Sequence, residues 1–494
     1  MPERTSDGEK GGFDGEKGGL DEDHVERTVI ELSTDSRVTA FTPAEQRAII
    51  GRIDRRLVLT LGFLYMISLM DRTNLGAAAI AGMTTQLHMN DKNNAYTIVS
   101  LVFFLPYAIF QPPATVAIRE IGPRRFLATI VFFWGAVMIS FGFVKTWEVM
   151  AVLRVILGIL EAGFYPGCIY LLSTWYPRYE LQKRNAVFYL IGSCASAFAG
   201  ILAYGLMQLN GRAGLQGWSW IFIVEGILTC ILGVFSYVMI VDFPELSPKS
   251  WNFLNEKEAA FVVARIEHDR HDIRLEPFSL GSYLRNGLDS KVWGFSALYT
   301  LTTTNTYAIA YFLPIILRDG MGFSVAKSQC LVAPPYICAA IVMYIQAYYA
   351  DKWHLRGPII IGNAALGILG LGLLGYLDNS AARYFGVFLA TTACNANCPA
   401  LVTYQANNVR GQWKRAFTSA TLIGGGAIGG IIGTSVFRAQ DSPGYRPGIL
   451  TCLIANVVII AVVVALTFKF YRANRRVDAG GKQIEKQDGF KYTY

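Results

Sequence analysis

Four charged residues stand inside long apolar stretches of this 494-residue sequence: Asp71 and Arg72 in the first stretch, Arg154 and Glu161 in the fourth. A charge near the centre of a bilayer costs roughly 2.5–3.5 kcal/mol on insertion scales, so it persists where a partner or a water-lined path offsets it. Two carboxyl groups can carry protons, and two guanidinium groups can neutralise an anion. The set therefore suits the binding of an ion together with the movement of a proton. Arg154 and Glu161 are seven positions apart, two turns of helix, and share a face about 10 Å apart along the axis. Asp71 and Arg72 are adjacent and point about 100° apart, so both are interior only where their helix lines a cavity. The competing reading is a pair of buried salt bridges between the two stretches, an expensive way to hold a bundle together. A mobile pairing, in which protonation of one acid frees an arginine, accounts for the same residues and supplies a mechanism.

The elements that must position these groups are apolar. Hydrophobic residues make up 53% of the chain and charged residues 16%, against about 25% charged in a soluble domain. A run of about 20 apolar residues crosses the hydrocarbon core as a helix. Twelve spans are expected, near 57–79, 95–115, 126–144, 148–174, 186–208, 219–241, 292–317, 328–350, 358–377, 384–405, 417–437 and 448–471. The expected fold class is an all-α membrane protein, with two pseudo-symmetric six-helix bundles over 51–241 and 292–471. The loop between them, 242–291, reads as short amphipathic helices lying on the cytoplasmic face. Residues 1–50 form an expected disordered tail, Gly- and acid-rich with Asp-Gly-Glu-Lys-Gly-Gly starting at both Asp7 and Asp14; residues 472–494 form a second tail.

A net charge of +8 invites a nucleic-acid reading, but the basic residues cluster at span ends. Arg47, Arg52, Arg55 and Arg56 precede span 1, and Arg178, Lys183 and Arg184 join spans 4 and 5. Arg410, Lys414 and Arg415 join spans 10 and 11, while Arg472, Arg475 and Arg476 follow span 12. Excess Lys and Arg mark the cytoplasmic side, so both termini are expected there. All eight cysteines fall within spans and all five histidines outside them. Neither a zinc site nor an intramembrane histidine base is expected, and no metal, cofactor or nucleic acid is implied. No span holds a nucleophile–histidine set, which argues against an enzyme.

The two halves echo each other. Lys183-Arg184 followed by Leu190-Ile191-Gly192 matches Lys414-Arg415 followed by Leu422-Ile423-Gly424, at an offset of about 232 positions. The turn Arg119 to Arg125 after span 2 has a counterpart in Asp351 to Pro358 after span 8. Such a repeat implies a pseudo-twofold carrier whose substrate site lies between the halves near the midplane.

Those turns resemble degenerate copies of the Gly-x-x-x-Asp-Arg-x-Gly-Arg-Arg loop of the major facilitator superfamily. Arg119 stands where the first copy would carry its acid, and Asp351 keeps it in the second. Asp71-Arg72-Thr73-Asn74, the stretch from Arg154 through Glu161 to Gly167, and Trp220 to Gly226 with Glu225 resemble the anion:cation symporter family. Phe437 to Asp441, followed by Tyr445-Arg446-Pro447-Gly448, is similar to its fungal allantoate permease branch. The resemblance implies a major facilitator fold and uptake of a small organic anion, such as allantoate, ureidosuccinate or nicotinate, with protons. It also implies Asp71 and Glu161 as proton carriers, and Arg72 and Arg154 as partners of a substrate carboxylate.

The second half has no ionisable group deep in its spans, but Asn305, Tyr307 and Tyr311 in span 7, Gln346 in span 8, and Asn395 and Asn397 in span 10 can hydrogen-bond the neutral part of a substrate. Helix–helix hydrogen bonding is the competing reading for each amide. Glu225 in span 6 is read either as a cavity residue or as a cap on a neighbouring loop. The small-residue stripes Gly425, Gly429, Gly433 and Gly192, Ser196, Gly200 read as packing surfaces. The expected particle is a monomeric multi-pass protein of the plasma membrane. Export of a metabolite or drug by proton antiport is the rival on the same fold. A non-transporting sensor is the rival from another class, disfavoured by the 18 residues that follow Arg476.

Overall fold

The computed structural model describes residue 37 and residues 40–89, 94–249, 253–271, 280–353, 355–410, 412–442, 444–480, 484–486 and 490–494. The acid-rich segment with its repeated Asp-Gly-Glu-Lys-Gly-Gly lies outside the described residues, as does His354. Among those described, there is no β-strand. Ten helices are long and apolar enough to cross a membrane: Ala95–Ala114, Pro123–Phe141, Trp147–Trp175, Val187–Met207 and Gly217–Met239 in the first half, then Val325–Ala350, Gly357–Tyr376, Ser380–Asn408, Phe417–Val436 and Arg446–Asp478 in the second. Two further long helices, Leu59–Ala78 and Ser290–Ile315, fill the places of spans 1 and 7. They fall short on hydropathy for a reason that bears on function. Span 1 carries Asp71, Arg72 and Asn74, and span 7 carries a run of threonines and Asn305, so these two are the polar walls of the bundle.

Two expected boundaries shift. The tail expected to run to residue 50 gives way to a helix at Pro43–Ile53, started by Thr42 and Glu45 in a reciprocal capping box with proline at the first turn. The helix of span 12 runs on to Asp478, so the second tail begins in helical form. In the central loop, Glu256–His271 forms a helix whose Phe261 packs on Phe41, while Arg52 pairs with Glu258.

The helix Pro43–Ile53, the C-terminal residues and the central-loop helix share one end, and its ion pairs carry the internal repeat. In the first half Arg184, at the start of span 5, pairs with Asp54, just before span 1, at 3.1 Å. In the second, Lys414 at the start of span 11 pairs with Asp289, just before span 7, at 2.8 Å. Lys414 also binds Glu485 at 2.9 Å, and Lys291 binds the same carboxylate. This docks the second tail: Tyr492 stacks on Phe470, with ring centroids 4.5 Å apart and nearly parallel, and exchanges hydrogen bonds with Asn474. Burial would raise the Asp289 carboxyl, but the Lys414 hydrogen bond, the Lys291 backbone N–H and both ammonium charges outweigh it and hold it down to about 2. Glu485 is held below its usual range in the same way: burial opposes, and Lys291 and Lys414 prevail.

The glycine stripe of span 11 seats against span 7, with Gly425 facing Ser296, Gly429 facing Thr303 and the Thr300 carbonyl, and Gly433 facing Thr304. It is a packing surface, which lets two backbones meet.

Candidate functional site

Span 1 reaches the interior through its polar turn, and its two adjacent charges take different partners. Arg72 donates from Nε to Glu161 Oε2 at 2.8 Å and places Nη2 at the same distance from that oxygen. Ser68, one turn earlier, donates to it as well, at 3.2 Å. The Arg72 guanidinium lies over the rings of Tyr107 and Phe103, 4.7 and 5.2 Å from their centroids, where the ring faces attract a cation. Asp71 turns the other way, accepting from Trp134 Nε1 of span 3 at 2.6 Å. The helix of span 4 is interrupted directly after Glu161, between Trp147–Glu161 and Phe164–Trp175, so Glu161 sits at a break in mid-span.

Arg154 is fully buried, over the ring of Phe141 at 5.4 Å, with the Tyr311 hydroxyl close enough to interact with it, and none of its three guanidinium nitrogens makes a well-formed hydrogen bond among the described residues. Its charge acts on Asp71, Glu161 and Tyr311. Of the two salt bridges that the sequence allows between spans 1 and 4, one is therefore formed directly. The second arginine is left as an available positive fork.

From the second half, Tyr307 joins the ion pair: its hydroxyl accepts from Arg72 Nη1 at 3.4 Å. Asn305 is buried with its side-chain oxygen unsatisfied. Asn395 donates back to the Thr391 carbonyl at 2.8 Å and stands one turn from Cys398. The electrostatic neighbours of Cys398 include Tyr165 and Tyr189 of the first half, so this face of span 10 looks across the inter-half space. Asn397 does not join the group. Its oxygen accepts from Asn363 of span 9 at 3.0 Å, and Asn363 in turn pairs with Gln346 of span 8. A residue two positions from Asn395 projects to the other side of the helix, and Asn397 is used there in helix packing.

The sequence reading missed Trp134, Tyr107 and Phe103. Trp134 had a usable signal: an indole N–H in the middle of an apolar span needs an acceptor, and Asp71 is the acid available to it. Among the described residues no three His, Cys, Asp or Glu side chains converge as a metal site requires.

At the end remote from the termini the halves are closed on each other. Tyr96 donates to the Tyr311 carbonyl at 3.3 Å, Gln329 to that of Ala77 at 3.3 Å, and Arg318 to that of Ile80 at 3.1 Å. Phe104 packs edge-on to Tyr307 at 4.8 Å. At the terminus-bearing end the ion pairs described above each stay within one half. The charged centre thus lies behind a closed gate on the remote side.

A sequence profile of the Major Facilitator Superfamily matches residues 61–434. The chain is 28% identical over 462 residues to the MFS-type transporter cnsO of Penicillium expansum, covering 92% of this chain and 88% of that one. It is 28% identical over 464 residues to the high-affinity nicotinic acid transporter of Saccharomyces cerevisiae, covering 91% and 84%. Among solved structures, a bacterial homolog of the human lysosomal transporter Spinster, in an inward-facing and unoccupied conformation, matches with a TM-score of 0.61 at 15% identity, over 87% of this chain and 99% of that one.

Proposed function

The chain belongs to the major facilitator superfamily, and from that premise we propose that it is a proton-coupled carrier that takes up a small organic anion bearing a carboxylate. The observation that carries this reading is Arg154, a fully buried guanidinium whose N–H groups donate no well-formed hydrogen bond to any described protein group. Buried donors left without acceptors are strongly unfavourable even where carboxylates stand nearby, and a planar fork of donors matches a carboxylate in two-point contact. Arg72 supplies the second positive charge, Tyr307 and Asn305 the hydrogen-bonding groups of the other half, and Asn395 a further amide on the facing helix.

Protonation of Glu161 would remove the acceptor that holds Arg72. The freed guanidinium would then be available to the anion, and its tie to Tyr307 would change with it. This links proton, substrate and the relation of the two halves. A relative named for nicotinic acid fits an aromatic-lined site of this charge, and nicotinate heads the candidate substrates, with allantoate and ureidosuccinate. In this reading the carrier is a monomer of the plasma membrane; the basic span ends support the placing of both termini in the cytoplasm.

The test is uptake of labelled nicotinate, allantoate and ureidosuccinate into fungal cells lacking their own carriers, with and without a protonophore. Accumulation of one of them that collapses with the proton gradient is the expected result. A failure of all three, or accumulation indifferent to the gradient, would overturn the reading.

A further inference from the structure

Glu225 lies one residue from a close helix crossing in the first half. Spans 3 and 6 meet at Gly135 and Gly226, where a Cβ on Gly135 would come within 2.9 Å of the Gly226 carbonyl oxygen and a Cβ on Gly226 within 2.8 Å of that of Gly135. The neighbours of these two glycines in sequence are Trp134 and Glu225. The crossing therefore holds both the indole that donates to Asp71 and, on the facing helix, Glu225, whose carboxyl is close enough to feel the charge of Asp71. Glu225 is 1% exposed, and neither of its oxygens has a hydrogen-bond partner among the described residues. Asp71 is 0% exposed and has one oxygen on Trp134 and the other unsatisfied.

The charged surroundings of the two acids differ. Asp71 feels Arg154 and Arg72 as well as Glu161. The charge acting on Glu225 is that of Asp71. Of the elements packed on span 6, span 3 brings the neutral Trp134 indole, and span 5 brings no charged residue between Val187 and Met207, its titratable groups there being Tyr189, Cys194 and Tyr204. A carboxylate in such a place, with no donor, no cation and a like charge nearby, is disfavoured on all three counts. The reading as a cap on a neighbouring loop fails, because the side chain is inside the bundle and bonds no loop.

We propose that Glu225 and Asp71 form a carboxyl pair across spans 6 and 1 that bears at most one negative charge, making Glu225 a proton-holding residue of the first half in addition to Asp71 and Glu161. Asp71, with its indole donor and two arginines, is the member that ionises; Glu225 keeps the remaining proton. Like-charged neighbours in one buried site titrate as a unit, so the second proton leaves only at a pH well above that of the first. Trp134 selects which acid ionises, because its N–H stabilises the carboxylate form of Asp71 alone. Only the use of this proton in transport rests on the proposed proton coupling; the pair itself does not.

Infrared difference spectroscopy on the full chain in lipid vesicles, titrated with pH in heavy water and without substrate, tests the pair directly. The unmodified protein should show a protonated-carboxyl C=O band at neutral pH that is missing in Glu225→Gln and kept in Glu161→Gln. In Asp71→Asn the Glu225 band should bleach at lower pH, because the like charge is gone. Trp134→Phe leaves both acids in place and should carry the bands to higher pH, which keeps the test usable if Glu225→Gln does not accumulate. A neutral-pH spectrum unchanged by Glu225→Gln, or a band whose bleaching ignores both Asp71→Asn and Trp134→Phe, would overturn the pair. Because no substrate is used, a carrier that proves uncoupled from protons would leave these spectra as they are, and the two failures stay distinct.

Discussion

Arg72 and Glu161 are joined at 2.8 Å between spans 1 and 4, and the same guanidinium donates to Tyr307 of the opposite half at 3.4 Å. One side chain thus belongs both to an ion pair inside the first bundle and to the contact between bundles. Its charge cannot be re-paired without altering that contact. In the proposed mechanism, exchange of the Arg72 partner between Glu161 and a substrate carboxylate would be a local event with a consequence for how the halves meet, which a carrier needs if binding is to drive alternating access.

Glu161→Gln keeps the shape of the side chain and removes its titratable proton. The variant should still exchange labelled nicotinate, or whichever anion proves to be transported, across a membrane with equal pH on both sides. Accumulation against a gradient should fall at least tenfold. Counterflow and gradient-driven uptake in the same vesicles separate the two, and undiminished accumulation would show that Glu161 does not couple.

Arg154→Lys should impair uptake nearly as much as Arg154→Ala. Lysine restores a charge but not the planar fork that meets two oxygens at once. Apparent affinity for the anion should weaken by roughly 1.5–3 kcal/mol, the usual scale for a hydrogen bond to a charged group. Competition binding on purified protein reads this, and a lysine form that binds normally would reduce Arg154 to a diffuse positive charge.

The charged part of the candidate site is legible in the sequence, because charge in an apolar helix is rare and has few uses. Asp71, Arg72, Arg154 and Glu161 are all found buried together, as their placement required. The amides were not legible. Asn395 and Asn397 are two residues apart in one helix, and only the register of span 10 against span 9 shows that Asn397 serves Asn363. Register depends on packing across many residues and leaves no local mark. Trp134 was hidden for a different reason: aromatic residues form 13% of this chain, and a tryptophan in a lipid-facing span looks the same in sequence as one that donates to a buried acid. The helix at Pro43–Ile53 is visible in Thr42 and Glu45, whose spacing is that of a capping box, but the acid-rich composition of the preceding stretch points the other way.

The docked second tail should release in acid. Asp289 has its carboxyl held down to about 2, and Glu485 is lowered by the same lysines. Groups depressed in this way add stability above their ordinary range near 4 and lose it as pH falls through the folded value. A nitroxide on Lys491→Cys, in a background whose other cysteines are replaced, should be immobile at neutral pH and gain mobility as the pH falls from about 4 to 2. Glu485→Gln should be mobile at neutral pH already. A label that is mobile throughout in the unmodified background would refute the docking.

Gly76 faces the Tyr311 carbonyl so closely that a Cβ there would sit 2.5 Å from that oxygen, and backbone on both sides leaves little room to yield. Gly76→Val should therefore disfavour the conformation closed at the end remote from the termini. A cysteine placed at Tyr96, in the same cysteine-replaced background, should react faster with an impermeant thiol reagent added on that side when Gly76→Val is present. Equal rates would mean that this contact does not hold the gate.

The pairing pattern predicts which double substitution rescues which single one. Arg72→Gln leaves Glu161 unpaired and Glu161→Gln leaves Arg72 unpaired, and breaking a buried pair from one side costs roughly 3–5 kcal/mol. Arg72→Gln with Glu161→Gln removes both charges and should restore surface expression beyond that of Arg72→Gln alone, while gradient-driven uptake stays absent. Asp71→Asn with Arg72→Gln should bring no such recovery, since these neighbours are bonded to Trp134 and to Glu161 and not to each other. Surface expression and pH-dependent uptake of the singles and both doubles separate the cases. Recovery of expression in the Asp71 and Arg72 double would show that the two adjacent charges pair with one another. Recovery of proton-driven uptake in the Arg72 and Glu161 double would show that the bridge is only structural.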